Sequence, residues 1–343
     1  MSYVRQTCMT GEVPRAWLDT RADLTRRSAT WQNVFVGAGV NASDRVLVGV
    51  PLTWSVGGDA YRAQLDIGAL TFASDQLSVG DIVDFAPTVL LSTVTDAQRL
   101  ARAAAKADVD IMDRTLRLVV VTGEPGGSLD TIRRSIEAHW GATCLDVYAL
   151  TELGAIGWGC SQRRGGIHLE DRQLQLEVIE PETERVVTEG ELGELVVSTP
   201  RDWGTPLERF RTGDLVRLRR DVCDCGRGST WADGGVLGRV RDRLLVRGQL
   251  ILPATIEQVV RRHPAVVDFA LRTYSVRDEW AITVDLELTE ALATEADQSR
   301  VAAEVSQDLR QTIGLRLPCE VLAPGAISGT HRPGKRARRI SLG

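Results

Sequence analysis

A short run of side chains able to handle a nucleotide follows a predicted strand at 144–147. The run reads Tyr148-Ala149-Leu150-Thr151-Glu152, so it stands at the carboxyl end of that strand, the edge where open α/β sheets bind ligands. An aromatic ring can stack on adenine, a hydroxyl can contact phosphate, and a carboxylate can hold Mg²⁺. A plain turn after a strand explains the same residues, so the run alone leaves both interpretations open.

Two further groups of chemically capable residues lie towards the C terminus. Arg211-Thr212-Gly213-Asp214 precedes Gly238-Arg239. An aspartate can accept hydrogen bonds from both hydroxyls of a ribose, and an arginine can donate to the sugar or to a phosphate. Lys335, in the stretch Pro333-Gly334-Lys335-Arg336, can carry a positive charge to a phosphate, although a lysine in an exposed turn is ordinarily a solvated charge.

Four soft metal ligands form two pairs. Cys223 and Cys225 flank one residue in a turn, and Cys160 and His168 lie on a glycine-containing stretch after the 148–152 run. Together they make a Cys₃His set, which is typical of a closed structural zinc site. The alternative is an unmetallated surface loop with spare cysteines. The remaining cysteines are expected to be ordinary thiols: Cys8, Cys144 and Cys319.

In this order and spacing, the 148–152 run, Asp214 with Arg239, and Lys335 resemble the motifs of the adenylate-forming superfamily. That superfamily includes acyl-coenzyme A ligases, peptide-synthetase adenylation domains and luciferases. The chain looks most like the phenylacetate-coenzyme A ligase branch, because residues 239–257 follow that branch's GR-DD-IRG-N-FP-IE block. Residues 122–125 resemble the family's GAEP turn, and residues 51–58 fall where the family has a glycine-rich segment that shapes the acyl pocket.

The resemblance implies a role for each matching residue. Tyr148 is expected to stack on adenine in a pocket lined by Gly123, Glu124 and Pro125. The other expected roles are phosphate contact by Thr151, Mg²⁺ binding by Glu152, ribose binding by Asp214 and Arg239, and catalysis by the cationic Lys335. A substrate carboxylate is already a nucleophile, so such a site needs positioning and charge neutralisation and no general base.

The implied reaction joins ATP to a carboxylic acid, forming an acyl-adenylate and pyrophosphate, and then transfers the acyl group to a thiol. The thiol belongs to coenzyme A or to the phosphopantetheine of an acyl carrier protein, and the acid is expected to be aromatic or compact. Two alternatives stay open: an amide-forming adenylating ligase, and a degenerate family member that binds nucleotide or acyl groups without ATP chemistry.

The expected phosphate loop is the weakest match. In the family, a Ser/Thr/Gly-rich loop ending in Lys-Pro cradles the outer phosphates, and Thr7, Thr10 and Gly11 match it here. Cys8 and Met9 depart from it, and Glu12 stands near the lysine position, where a carboxylate repels a polyphosphate until Mg²⁺ or Arg15 compensates. The loop also stands near residue 1, which predicts either an N-terminally shortened fold with a partner or homodimer contact, or an incomplete sequence.

The pattern of elements predicts an α/β fold class with two domains. Residues 1–240 form a large α/β domain with a zinc-binding β-rich subdomain at about 155–235, since strands and helices alternate first and strands then follow one another. Residues 241–343 are predicted to form a small α+β domain that carries Lys335, and the family resemblance implies that this domain is mobile and hinged at Arg241. The clearest helix is 129–140, with Ser128 as its cap and Gly141 at its end.

Composition narrows the class of protein. The chain has 343 residues, of which 43% are hydrophobic, and a formal net charge of −5, so it can bury a large core and has no broad basic surface for nucleic acid. The N terminus lacks a signal-peptide core, and no run is long and apolar enough for a membrane span. The sequence therefore predicts a cytoplasmic protein that binds neither nucleic acid nor membrane.

Overall fold

The computed structural model describes residues 3–7, 15–53, 55–111, 115–227, 230–246, 248–276, 279–290, 292, 294–327 and 339–341. Within them, the chain forms two compact units that divide between Val236 and Leu237. The described parts do not include several of the residues named above: Cys8, Met9, Thr10, Gly11, Glu12 and residues 333–336, among them Lys335.

Helices and strands alternate through the first half of the first unit. Its helices are α1 (Arg21–Gly37), α2 (Ser55–Ile67), α3 (Val79–Phe85), α4 (Val94–Lys106) and α5 (Asp130–Trp140). Its strands are β1 (Tyr3–Thr7), β2 (Arg15–Asp19), β3 (Arg45–Val48), β4 (Leu70–Ala73), β5 (Val89–Ser92), β6 (Leu118–Thr122), β7 (Thr143–Leu150), β8 (Gly154–Trp158), β9 (Gly166–Leu169), β10 (Gln175–Ile179), β11 (Leu192–Ser198), β12 (Phe210–Arg220) and β13 (Thr230–Asp233).

A mixed sheet runs through the first unit in the order β10-β11-β12-β13-β9-β8-β7-β6-β5-β3-β4. Strands β3 to β7 pair in parallel, whereas β7 pairs with β8 antiparallel and the strands beyond it continue in that way. The central parallel strands β5 and β6 are buried on both faces, as Val89, Leu90 and Leu91 show at 0% exposure each, which is why they read as continuous apolar runs. The change of strand direction occurs at β7, which carries Tyr148.

Helix α5 shows how the local sequence shapes the sheet's covering. Ile132, Ile136 and Trp140 bury one face, and Gly141 ends the helix in the left-handed region at φ 61°. The predicted cap at Ser128 is wrong: the N-cap residue is Leu129, and the Ser128 hydroxyl donates to Asp146 Oδ2 at 2.6 Å. The Ser128 side chain is therefore oriented by the Asp146 carboxylate, and among the described residues it accepts no hydrogen bond from the first turn of α5.

The second unit is a smaller α+β body. Its elements are β14 (Gly238–Arg239), a 3₁₀ turn (Val240–Asp242), β15 (Leu244–Val246), β16 (Gln249–Ile251), α6 (Pro253–Val260), β17 (Val266–Val276), β18 (Glu279–Leu288), α7 (Glu295–Ile313), β19 (Cys319–Leu322) and β20 (Arg339–Ser341). The strands pair in the order β19-β18-β17-β20. The core of this unit includes Phe269, Val284 and Leu309, each 0% exposed. Within the described parts of both units, every helix is too short or too polar to cross a bilayer.

Candidate functional site

Neighbouring strands bring the predicted adenine-binding residues to one edge of the sheet. In the parallel pair β6 and β7, Thr122 lies opposite Val147, so the turn that begins at Gly123 starts beside Tyr148. Glu124 in this turn accepts a hydrogen bond from the backbone N–H of Thr95, at the start of α4, at 2.9 Å. The contact fixes the turn to the first turn of a helix, where the positive end of the helix dipole favours a carboxylate.

A buried hydrogen bond joins two of the sequence motifs. The Tyr148 hydroxyl donates to Asp214 Oδ2 at 2.7 Å, and the two residues are only 8% and 2% exposed. The Thr212 hydroxyl accepts from the Asp214 N–H at 3.1 Å and donates to the Leu195 carbonyl at 2.8 Å. These contacts place an aromatic ring and a carboxylate side by side, although 66 residues separate them in the chain.

Arg211, three residues before Asp214 in β12, stabilises the strand segment that carries Asp214. Its Nε donates to Glu194 Oε2 at 2.9 Å, and Glu194 Oε1 accepts from the Gly213 N–H at 3.0 Å. The hydrogen bond with Glu194 raises the pKa of Arg211, and Glu184 adds to the effect through charge. The guanidinium is therefore engaged with carboxylates of the first unit, and its structural contribution is to hold the strand segment that carries Asp214.

Thr151 and Glu152 form a tight turn between β7 and β8. Leu150 pairs with Gly154, so that the turn spans only residues 151–153. Gly154 has φ +81°, a conformation that favours glycine. The side chains of Thr151 and Glu152 are both half-buried, which leaves a hydroxyl and a carboxylate partly accessible at the end of the strand that carries Tyr148.

Asp146 is a titratable residue at this edge that the sequence analysis did not predict. It lies on β7 two residues before Tyr148, and its carboxylate accepts from the Ser128 hydroxyl. A Cβ added to Gly235 would lie 3.0 Å from Asp146 Oδ2, so only a glycine leaves the carboxylate this room. Desolvation raises the pKa of Asp146 to about 6, although its hydrogen bonds act to lower it. An acidic residue inside an otherwise apolar strand was the available signal.

Replacing Asp146 by asparagine is expected to change the pH dependence of stability. The folded-state pKa of about 6 lies above the ordinary 3.8, so the native fold binds more protons than the unfolded chain between these values and loses stability as pH rises through them. Asp146 is partly exposed, which reduces the effect. Between pH 4 and pH 7, the free energy of unfolding of Asp146→Asn should therefore rise by about 1–3 kcal/mol relative to that of the native protein.

Denaturant unfolding of both proteins at the two pH values measures this gain. Asp202→Asn is the matched control, because Asp202 is exposed and should give the same difference from native at both pH values. A stability difference for Asp146→Asn that stays constant from pH 4 to pH 7 would contradict the raised pKa.

The four predicted metal ligands converge on one point of the first unit. Cys160 follows β8, His168 lies in β9, and Cys223 and Cys225 lie between β12 and β13. Their donor atoms all lie within 4.8 Å of one another. Cys160 Sγ is 3.4 Å from His168 Nε2 and 3.8 Å from Cys223 Sγ, and Cys225 Sγ is 3.3 Å from the same Nε2.

These distances fit a tetrahedral zinc site. With Zn–S of about 2.3 Å and Zn–N of about 2.0–2.1 Å, tetrahedral geometry places two sulfurs about 3.7 Å apart and a sulfur and a nitrogen about 3.6 Å apart. Cys160, His168 and Cys223 are buried, and Cys225 is half-buried. A buried set of three thiols and one imidazole is a soft donor set, so its chemistry also suits zinc.

The other predicted site residues either lie in other elements or lie outside the residues that the structure describes. Thr7 ends β1, where it pairs with Arg15 of β2. Arg239 lies in β14 of the second unit and is half-buried. Thr10, Gly11 and Lys335 lie outside the described residues. In the predicted acyl-pocket segment, α2 begins at Ser55, and a Cβ at Gly57 would meet the Pro51 carbonyl oxygen at 2.3 Å.

Comparison with known proteins relates the chain to coenzyme A ligases. It is 30% identical over 280 residues to the phenylacetate-coenzyme A ligase of Thermus thermophilus, a match that covers 76% of this chain and 61% of the relative. It is 27% identical over 312 residues to the phenylacetate-coenzyme A ligase of Pseudomonas putida, covering 87% and 70%. The match thus spans about three fifths to seven tenths of these relatives' lengths. No family model matches the chain.

Solved structures share the fold. A 2-hydroxyisobutyryl-coenzyme A ligase in its postadenylation state superimposes with a TM-score of 0.88 at 22% identity, covering 99% of this chain and 73% of that one. An anthranilate-coenzyme A ligase bound to anthranoyl-AMP gives a TM-score of 0.73 at 17% identity, covering 93% and 63%. The predicted fold class, a large α/β domain with a β-rich part and a small α+β domain, is confirmed.

Proposed function

We propose that this member of the adenylate-forming ligase superfamily, a relative of the phenylacetate-coenzyme A ligases, activates a carboxylic acid with ATP. A carboxylate oxygen of the acid attacks the α-phosphorus, the bond to the β-phosphate bridging oxygen breaks, and pyrophosphate leaves. The product is an acyl-adenylate. A thiol then attacks the acyl carbon, and AMP leaves with the electron pair of the mixed anhydride bond.

The contact between Tyr148 and Asp214 carries this proposal. A ring that stacks on a base and a carboxylate that accepts from the attached sugar's hydroxyls must lie close together, and the 2.7 Å hydrogen bond makes Tyr148 and Asp214 neighbours. Both side chains are buried, so little conformational freedom is lost when the ligand binds. The turn at Gly123, Glu124 and Pro125 beside Tyr148 is proposed as the adjoining wall of the adenine pocket.

The phosphates are assigned to the turn after β7. Glu152 would hold Mg²⁺ and Thr151 would donate its hydroxyl to phosphate, since both side chains lie at the open end of the strand. Arg239 and Lys335 would add positive charge to the ribose and to the α-phosphate, as the family resemblance implies. Mg²⁺, when bound, neutralises charge that develops on the leaving pyrophosphate. Thr7, Thr10 and Gly11 are the proposed remnants of the outer-phosphate loop.

Coenzyme A is the proposed thiol, because the sequence relatives are coenzyme A ligases. An aromatic or compact acid is the proposed substrate, since the named relatives and the fold neighbours use phenylacetate, 2-hydroxyisobutyrate and anthranilate. A carrier-protein thiol or an amine is the alternative acceptor, which acid-dependent pyrophosphate release without thioester formation on added coenzyme A would favour.

We also propose a structural role for zinc bound by Cys160, His168, Cys223 and Cys225. The four side chains come from the β8–β9 connection and from the segment after β12, so one ion would tie together parts of the sheet distant in sequence. All four ligands come from the protein, which leaves no open position of the kind that a catalytic zinc keeps for water or substrate.

Acid-dependent pyrophosphate release by the full chain tests the proposed function. Phenylacetate, benzoate, anthranilate and 2-hydroxyisobutyrate are each incubated with ATP and Mg²⁺, and release is expected with at least one aromatic or compact acid and not when acid or Mg²⁺ is omitted. Adding coenzyme A should then yield the acyl thioester. Nucleotide binding without acid-dependent release from any of these acids would instead identify a degenerate binding protein.

A further inference from the structure

Arg27 of α1 is a buried arginine that contacts the backbone of the proposed phosphate-binding turn. It is 3% exposed. Its Nη2 donates to the carbonyl oxygen of Thr151 at 2.5 Å and its Nη1 donates to that of Glu152 at 3.1 Å. One guanidinium therefore bridges two consecutive carbonyls of the turn, a geometry that its planar fork favours and an ammonium cannot reproduce.

The charge of Arg27 is balanced from a second helix. Its Nε donates to Asp59 Oδ2 of α2 at 2.8 Å, and Asp59 is fully buried. Asp19, at the end of β2, lies 3.8 Å from Nη1. The arginine thus links α1, α2 and the β7–β8 turn through one planar group, and the two helices also pack against each other and on β8.

Packing of α1 against α2 does not by itself require an ion pair at this position. Buried ion pairs are often no more stabilising than apolar residues of similar volume, because desolvation offsets their attraction. An apolar pair would pack α1 against α2 but could not donate to the two carbonyls. Arg27 also packs closely on the backbone after the turn, because a Cβ added to Gly154 would lie 3.2 Å from Arg27 Cγ.

From this geometry we infer that Arg27, oriented by Asp59, is a positioning residue that fixes the turn presenting Thr151 and Glu152 to nucleotide phosphates and Mg²⁺. The inference rests on the proposed function. The backbone carbonyls are held from inside the unit while the two side chains stay half-exposed. A displacement of such groups by about 1 Å can lower a rate by about a hundredfold, so the clamp acts on kcat through the side chains that it aims.

The test compares Arg27→Lys, the double variant Arg27→Met/Asp59→Leu and the control Arg117→Met. Arg117 likewise donates to a buried carboxylate, Asp44, and to a backbone carbonyl, that of Gly39, but it does not contact the turn. The measurements are kcat and KM for pyrophosphate release, thermal unfolding, and hydrogen exchange of the backbone amides at 150–154.

The double variant is expected to fold, with kcat about a hundredfold lower, KM for the acid nearly unchanged and faster exchange at 150–154. Arg27→Lys should lose roughly tenfold in kcat, because it keeps the charge but not the fork. Arg117→Met should keep native kcat and exchange at 150–154. Native kcat with unchanged exchange in the folded double variant would overturn the inference; if that variant does not fold, the same result for Arg27→Lys overturns it.

An inactive native protein would overturn the proposed function rather than the clamp. Hydrogen exchange at 150–154 still decides the clamp in that case, because it reports whether Arg27 holds the turn without requiring turnover. Unchanged exchange in the Arg27 variants would then reject the clamp independently of the chemistry.

Discussion

Glu152→Gln is expected to slow acid-dependent pyrophosphate release by roughly a hundredfold to a thousandfold. The amide keeps the size of the carboxylate but loses the negative charge that binds Mg²⁺. The turn should keep its place, because Arg27 holds the Glu152 carbonyl and not its side chain. The loss should therefore appear mainly in kcat and in a higher Mg²⁺ requirement, with thermal unfolding close to native.

Glu208→Gln is the matched control for this variant. Glu208 is exposed and lies outside the proposed site, so the same change of carboxylate to amide should leave release at the native rate. Glu152→Gln activity within threefold of native, at limiting Mg²⁺, would remove Glu152 from the metal site.

Lys335→Ala is expected to lower the rate of acid-dependent pyrophosphate release on a scale similar to that of Glu152→Gln, because the positive charge at the α-phosphate is lost.

Loss of a zinc ligand is expected to give the second large effect, on stability. Purified protein should contain about one equivalent of zinc, and Cys223→Ser should lower this below half an equivalent. The ion would join the β8–β9 connection to the segment after β12. Its loss should cost several kcal/mol, which lowers the melting temperature by about 2–4 °C for each kcal/mol in a unit of this size.

Metal analysis and thermal unfolding, with and without chelator, measure both effects. Cys319→Ser is the control, because Cys319 is half-buried in β19 and should alter neither zinc content nor the response to chelator. Native protein that lacks zinc after expression with zinc in the medium, or Cys223→Ser that keeps a full equivalent, would contradict the zinc proposal.

Local sequence determined much of the secondary structure of this protein. Apolar residues at helical spacing predicted the 129–140 helix, which the structure gives as Asp130–Trp140, and the predicted strand 144–147 lies within Thr143–Leu150. These segments were predictable because one period dominates and glycine marks the ends. The hairpin β1–β2 was not predicted, because the residues around Thr10 match the family's phosphate loop. Helix α1 was not predicted, because it has only weak amphipathic character.

Sequence could also supply candidate groups for the site, because motif order and residue type carry chemical meaning without coordinates. Cys160, His168, Cys223 and Cys225 were proposed as one set from residue type and grouping, and their donor atoms do converge. What chemistry these groups perform is still a prediction, and the experiments above test it.

Only the tertiary structure decided which groups meet. Tyr148 and Asp214 carry no local signal of their contact, since a hydrogen bond across 66 residues depends on how β7 and β12 are placed in the sheet. Ser128 illustrates the same limit. Its position before α5 predicts a helix cap, but its hydroxyl donates to the Asp146 carboxylate and its side chain makes no cap hydrogen bond within the part of the chain that the structure describes. In the sequence, Arg27 is only one of three arginines within residues 21–27. Its burial against Asp59 and two carbonyls arises only when two helices and a turn pack together, and long-range packing of this kind is what short sequence windows do not encode.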